Sequence, residues 1–456
     1  MGEIVGSLWW LIVTLGLLVT FHEFGHFIVA RRLGVKVLRF SVGFGKPLAM
    51  RRGRDGTEYV VAAIPLGGYV KMLDERESEH ELDPAEAKFA FNRKPIASRI
   101  AIVAAGPFFN LVFAVFAFWA MFVIGRYDYQ PVLGPTTGVA AEAGLKTGDR
   151  IESVDGEPVT SYTQVFLYLA ERTIAREDAT LSMRRTGDEP RTVVLPLSRV
   201  PRELDEDHAI DSLGFRVAFL GAPVAEELPK DKPAARAGVL VGDRVTAING
   251  VPVPTYDTFY DVIQAQAARD PALVFTIERD GRPLQLPVTA ERSTDEGAKR
   301  WIVGFAPTRQ ARSPDALLQY GPLQAIPAAF GEAWTMTAMT GRLLGHLVFG
   351  RADLKNVSGP IGIAQAANSS ARAGPGAFLW FLGLLSLSIG ILNLLPIPIL
   401  DGGHLLYYLI ELVKGSPVTE RTVQMGQALG LALLLCLMGL AFYNDISHIV
   451  SRLISS

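Results

Sequence analysis

Four stretches of this chain are apolar for long enough to cross a bilayer, and in lipid such stretches have almost no choice but to be helical. They run from Ile4 to about Ala30, from about Ile100 to Ile124, from Ala377 to Leu395 and from Ala428 to Tyr443. A span takes about 20 residues, so the third and fourth are short or interrupted and their ends are loosely set. Composition agrees: 49% of residues are hydrophobic and only 20% charged, less charge than a soluble chain carries. The first stretch does not read as a cleaved leader. Glu3 is its only early charge, it has no A-x-A site, and its apolar core runs straight into His22 and Glu23, so retention is expected.

Basic residues set the expected orientation. Arg31, Arg32, Lys36, Arg39, Lys46, Arg51, Arg52 and Arg54 follow the first span, Arg93, Lys94 and Arg99 precede the second, and Lys414 and Arg421 lie between the third and fourth. The positive-inside rule puts these segments in the cytoplasm, with both termini and the long central region on the opposite side. The net charge of -2 offers no basic field for nucleic acid. The single cysteine, Cys436, excludes an intramolecular disulfide and a thiolate metal cluster, so His, Asp or Glu must hold any metal.

The central region, roughly Arg126 to Pro307, has normal charge and turn residues, and it repeats itself. AAEAGLKTGDRIESVDGEPV (Ala140–Val159) aligns without gaps to AARAGVLVGDRVTAINGVPV (Ala234–Val253), and SLGF ending at Phe215 matches IVGF ending at Phe305. Each unit has a helix-like opening, a G-D-R turn and a strand reaching D/N-G, a pattern that resembles the PDZ family. Two α/β PDZ domains are therefore expected at 126–220 and 221–309. Leu213-Gly214-Phe215 and Val303-Gly304-Phe305 are the expected carboxylate-binding loops, or the units filter substrates by size. Between the first two spans, within 31–99, Tyr59 to Val61 and Tyr69 to Met72 read as strands broken by Pro65, Gly67 and Gly68, a hairpin or small sheet at the membrane. After the repeats, 310–375 contains helical spacing of apolar residues with Trp334 and an Arg342/His346 edge, an amphipathic helix on the outer surface. The remaining divisions are 1–30, 100–125, 376–400, a cytoplasmic 401–426, and 427–446. The acidic run at Asp74 to Glu77 reads as a solvated face. Trp9 and Trp10 read as interface anchors, and His80, His208 and His448 as isolated surface residues.

Chemistry concentrates in His22-Glu23-Phe24-Gly25-His26. On a helix, H-E-x-x-H puts both imidazoles on one face to share a metal ion, and the glutamate between them is placed to take a proton from water. The pentad lies in or at the end of an apolar span, where each ionisable group costs on the order of 3 kcal/mol and usually marks function. A catalytic zinc wants a third protein ligand. Asp401, in NLLPIPILDGGH after the third span, is a candidate, with His404 three residues on as a competitor. On the residues alone, Asp401 could equally cap a helix N-terminus, and Gly43-Phe44-Gly45 could be a simple turn.

H-E-x-x-H in the first span together with N-x-x-P-x-P-x-L-D-G in a later one resembles the site-2 protease family of intramembrane zinc metalloproteases. GFGKPL, IPLGGYVKM, AGPFFN, the two PDZ-like units and the four spans extend the resemblance across the whole chain, to the Gram-negative envelope-stress branch of that family. The resemblance implies zinc held by His22, His26 and Asp401, with Glu23 as general base. It implies that Asn393, Pro396 and Pro398 shape the site and engage an unwound substrate. It places Gly43, Phe44 and Gly45 in a loop re-entering the membrane, and pairs the edge of the Tyr59–Met72 region with the extended substrate. The implied setting is a bacterial inner membrane. The implied substrates are a single-pass anti-sigma factor already cut outside and leftover signal peptides.

Overall fold

The computed structural model describes residues 2–77, 83–185, 188–199, 213–219, 221–293, 300–307, 314–348 and 359–455. His80 and His208 lie outside them. Two compact units emerge: Met1–Arg126 with Leu318–Ser456, and Tyr127–Leu317. Among the described residues, four helices of the first unit are long and apolar enough to cross a membrane, over Ile4–Arg32, Ile96–Ile124, Pro375–Leu394 and Glu420–Ser447.

Helix α1 (Gly2–Arg32) carries no internal proline and ends with Arg31 and Arg32 in its last turn, where cations complement the helix dipole. Gly34, at φ 70°, then turns the chain into β1 (Val37–Arg52) and β2 (Glu58–Met72). These two strands differ from the expected short hairpin. Residues 39–42 of β1 pair on one side with Glu58–Val61 and on the other with Gly68–Lys71, while Ala49–Arg52 pair with the outer side of Glu58–Val61. Both strands fold back on themselves, at Gly43-Phe44-Gly45 and at Pro65–Gly67, and make four antiparallel rungs. Gly43 and Gly45 have φ of 93° and 86°, a region open to glycine at no steric cost. The breakers therefore turn the strands rather than end the pairing, and they leave Gly67–Met72 as an edge. The acidic run that follows is not simply solvated. Asp74 is largely buried against Arg76, and Glu75 pairs with Arg93 and Asn92.

Helix α2 (Ile96–Ile124) is the scaffold of this unit. After it come the two repeats, which fold alike. In the first, β3 (Leu133–Thr136), β4 (Arg150–Val154), β5 (Glu157–Pro158), α3 (Tyr162–Ala175), β6 (Ala179–Arg184), β7 (Arg191–Leu195) and β8 (Phe215–Val217) form a sheet of order β5-β4-β6-β7 and a β3-β8 pair. In the second, β9 (Ala225–Glu227), β10 (Arg244–Ile248), β11 (Val251–Pro252), α4 (Tyr256–Ala267), β12 (Ala272–Arg279), β13 (Arg282–Thr289) and β14 (Ala306–Pro307) give the order β11-β10-β12-β13 and a β9-β14 pair. The D-G and N-G dipeptides explain the tight β4-β5 and β10-β11 hairpins. Asp155-Gly156 and Asn249-Gly250 all have positive φ, the conformation a two-residue hairpin turn needs. The aspartate of each G-D-R accepts a backbone N–H three residues earlier, Asp149 from Lys146 and Asp243 from Leu240, and also binds arginine, Arg185 and Arg191 in one repeat and Arg279 in the other.

The chain then returns as α5 (Ala325–Val348), α6 (Pro360–Arg372), α7 (Pro375–Leu394), α8 (Asp401–Lys414) and α9 (Glu420–Ser455). Helix α7 lies against α2 at three glycines, seven residues apart. A Cβ at Gly376 would meet Gly125 O at 2.0 Å, one at Gly383 the Phe118 ring at 2.7 Å, and one at Gly390 the Asn110 Cβ at 3.2 Å. Small residues on one helix face permit the close backbone approach that packing in lipid favours. Leu18, Phe113, Ala117 and Leu382 fill the space among α1, α2 and α7. Trp10, expected at the interface, stacks edge-on against Phe378 of α7 at 4.7 Å, whereas Trp9 is exposed. In α5, Trp334 is exposed and Glu332 accepts the Trp380 indole N–H at 2.9 Å. Asp445 of α9 accepts the Gly359 and Ile361 N–H groups at the start of α6.

Candidate active site

His22 and His26 sit one turn apart on α1, and Asp401 opens α8. Their side chains converge: Asp401 Oδ2 lies 3.2 Å from His22 Nε2 and 3.4 Å from His26 Nε2, and the two Nε2 atoms are 3.3 Å apart. A tetrahedral ion about 2.0–2.1 Å from each of three N or O ligands would space them about 3.3 Å apart. The triangle therefore has the size zinc requires. Apart from the imidazoles, Asp401 Oδ2 is buried without a hydrogen-bond partner among the described residues, a costly arrangement unless a cation completes it.

The local sequence makes the convergence possible. Gly25 lets α1 cross α2 closely, since a Cβ there would stand 2.4 Å from Ala105 O. Gly106 of α2 faces the imidazoles, and a Cβ on it would lie 2.3 Å from His26 Nε2. After α7, residues 395–400 leave the helix and α8 starts under them. Cβ atoms at Gly402 and Gly403 would strike the carbonyls of Leu395 and Ile397 at 2.2 and 2.4 Å. Downstream, Arg99 of α2 grips Glu411 of α8 through two hydrogen bonds of 3.1 and 2.7 Å. Asp401 does not cap its helix. Leu400 occupies the N-cap position and no side chain caps it, which removes the capping alternative.

The other expected residues divide. His404 is not among the converging groups and lines a cavity of about 660 Å³ with Arg99, Tyr407 and Glu411. Glu23 is half-buried on α1, and a Cβ at Gly68 in the β2 edge would stand 3.1 Å from its Cγ. Asn393 is half-buried on the last turn of α7, and Pro396 and Pro398 lie in the non-helical turn beyond. Pro398 also faces Gly426 and Gly430 of α9. Phe44, between its two glycines, stacks on Tyr69 of the edge segment with ring centroids 6.2 Å apart. Leu213-Gly214-Phe215 and Val303-Gly304-Phe305 belong to the other unit. Their large side chains are buried in the repeat cores, and Gly214 O and Val303 O accept the N–H of Thr137 and Ala234.

Two features of α2 carry no role in the sequence reading. Ile102 O lies 2.8 Å from His26 Nδ1. A carbonyl only accepts, so Nδ1 carries the proton and the Nε2 lone pair faces the centre. The Asn110 amide lies 3.2 Å from His22 Nδ1. AGPFFN holds both Gly106 and Asn110, but helix periodicity gives no hint of a contact across 88 residues.

Comparison with known proteins agrees with this geometry. A sequence model of Peptidase family M50 matches residues 10–437. The chain is 45% identical, over 98% of its length and 100% of the relative's, to a protein of Xylella fastidiosa (strain Temecula1) named for a zinc metalloprotease. It is 42% identical to the regulator of sigma-E protease RseP of Escherichia coli (strain K12), over 96% of the chain and 98% of that protein. The regulator of sigma E protease of Salmonella typhi is 41% identical over 96% and 98%. With a family match across most of its length and relatives aligned almost end to end, the chain belongs to Peptidase family M50 and is a membrane zinc metalloprotease of the site-2 type.

Proposed function

We propose that this protein cuts the membrane-spanning segment of single-pass membrane proteins in a bacterial inner membrane, with His22, His26 and Asp401 as zinc ligands and Glu23 as general base. The observation that carries the reading is the 3.2–3.4 Å triangle of two imidazole nitrogens and one carboxylate oxygen. Zinc, when bound, supplies a Lewis acid that acidifies water and polarises a carbonyl. Glu23, between the two histidines and beside the β2 edge, takes the proton of the attacking water and delivers it to the departing amine. No covalent enzyme intermediate is required. Among the described residues the Gly67–Met72 edge pairs on one side only, so its other side can take an unwound peptide as an added strand. Phe44 on Tyr69, the turn at Gly43 and Gly45, and the Asn393–Pro398 turn would frame that peptide.

Two of the relatives are named as regulators of sigma E, and with the sequence resemblance this supports an anti-sigma factor, already cut outside, as one substrate; signal-peptide remnants are a second class. The two repeats act as periplasmic PDZ domains that control access, through the Leu213–Phe215 and Val303–Phe305 loops or by size, with both termini on the same side. The test is cleavage of a single-span substrate by purified protein, with metal content measured in parallel. Glu23→Gln should keep zinc and lose cutting by 100-fold or more, on the order expected for a general base. Equal cleavage by both proteins would remove Glu23 from the mechanism.

A further inference from the structure

We infer that Asn110 is a positioning residue whose amide holds His22 through Nδ1 and supports the metal-binding tautomer by accepting an Nδ1–H. The inference rests on the reading of His22, His26 and Asp401 as the zinc set. An imidazole can offer Nε2 to a metal only if its proton is on Nδ1. Ile102 O settles this for His26. For His22 the group at Nδ1 is the Asn110 amide, at 3.2 Å, on a residue with no exposed surface. With Nδ2 toward the ring, the amide donates to Nδ1, and the ring proton sits on Nε2, pointing at Asp401 Oδ2 3.2 Å away. In that arrangement the Nε2–H satisfies Asp401 Oδ2 and leaves no lone pair for a metal. Turned over about its terminal torsion, the amide presents Oδ1, accepts an Nδ1–H, and frees the Nε2 lone pair.

Asn110 can serve either state because its amide is both donor and acceptor. In the first orientation Oδ1 is buried without a hydrogen-bond partner among the described residues. Among the described residues only the contact to His22 Nδ1 itself holds the amide in that sense, and metal binding can select the other. The residue is held by its backbone: its carbonyl accepts the Ser386 hydroxyl of α7 at 2.9 Å, and Gly390 of α7 stands against its Cβ. Helix α2 thus supplies an outer partner to each histidine. Such partners orient a ligand and raise its basicity.

The test is zinc affinity of the full-length protein in detergent, by competition with a chromogenic chelator, with cleavage as a second readout. Asn110→Leu, which removes both donor and acceptor, should weaken zinc binding about 10- to 100-fold, the usual cost of losing such a partner. Asn110→Asp keeps an acceptor of the same shape and should hold zinc within about threefold of wild type, as a carboxylate–histidine pair does. Wild-type affinity in Asn110→Leu overturns the inference. So does equal loss in the Leu and Asp variants, and that comparison also covers a Leu variant that folds badly. Asp401→Asn separates the two levels: if it too keeps full affinity, the ligand set itself is wrong, whereas its loss beside an unaffected Asn110→Leu condemns Asn110 alone.

Discussion

A methyl group added at Gly106 would lie 2.3 Å from His26 Nε2 and 2.7 Å from His22 Cε1, and the His26 ring has little room to retreat. His26 is tied through Nδ1 to Ile102 O, and its neighbours on α1 pack against α2. Gly106→Ala should therefore cost zinc affinity at least as much as losing an outer partner, about 10- to 100-fold, while the protein stays folded and membrane-inserted. Chelator competition on the purified variant measures it, and unchanged affinity would mean the helices part more easily than their packing suggests. This is also where the sequence stopped speaking. The i, i+4 spacing of His22 and His26 announces one shared face, because a helix repeats every 3.6 residues. Asp401 was singled out only through family resemblance, since an aspartate before Gly-Gly also suits a helix cap. Gly106 and Asn110 act across a helix crossing, and no periodicity encodes which residues of two helices meet.

Elements were legible where a local rule governs them. The gapless repeat puts D-G and N-G at the ends of matching strands, and each dipeptide turns a tight hairpin. The doubling of β1 and β2 was not legible. Pro65, Gly67 and Gly68 look like an end to pairing, and only the partner's register shows that the chain turns and pairs again. At the start of α8, Gly402 lies 2.2 Å, by an added Cβ, from Leu395 O, so Gly402→Ala should push α8 away, carry Asp401 with it, and lower zinc occupancy and cleavage together; unchanged occupancy would show that the Arg99–Glu411 pair sets the position alone. In the second repeat the Arg279 guanidinium, assisted by the Leu240 N–H, holds the Asp243 carboxyl below the usual carboxylate range despite the opposing effect of burial. A carboxyl depressed in the folded state contributes stability above its unfolded pKa of about 3.9, and that contribution fades as the pH falls through the lower folded value. Asp243→Asn should thus destabilise the repeat at pH 7, by less than the loss of a fully buried pair because Arg279 is partly exposed. The gap from wild type should be smaller at an acid pH below the usual carboxylate range than at pH 7. Urea-dependent proteolysis of the intact chain at both pH values reads this out, and a gap that persists in acid would deny the ion pair its role.

At the scale of the molecule, the ligands come from residues 22, 26 and 401, yet every group that shapes them lies in the unit formed by Met1–Arg126 and Leu318–Ser456. The chain leaves that unit at the end of α2 and comes back beside the point of departure. Tyr320 N–H donates to Phe122 O at 2.8 Å, and the Gln319 amide donates to the carbonyls of Val123 and Ile124 at 3.2 Å. Tyr127–Leu317 is therefore an insertion whose ends are already close, the situation in which a domain can be added or removed with little strain. Replacing it with a short Gly/Ser linker should leave the 3.2–3.4 Å triangle intact. Zinc affinity should stay within a few-fold of wild type, and a bare single-span peptide should still be cut in a Glu23-dependent way. If the repeats control access, the shortened protein should also cut a substrate that keeps a bulky folded outer domain, which the full chain should spare. Zinc lost with the insertion would mean the catalytic unit does not stand alone. Zinc kept with no change in substrate preference would leave the repeats a tethering role and no part in selection.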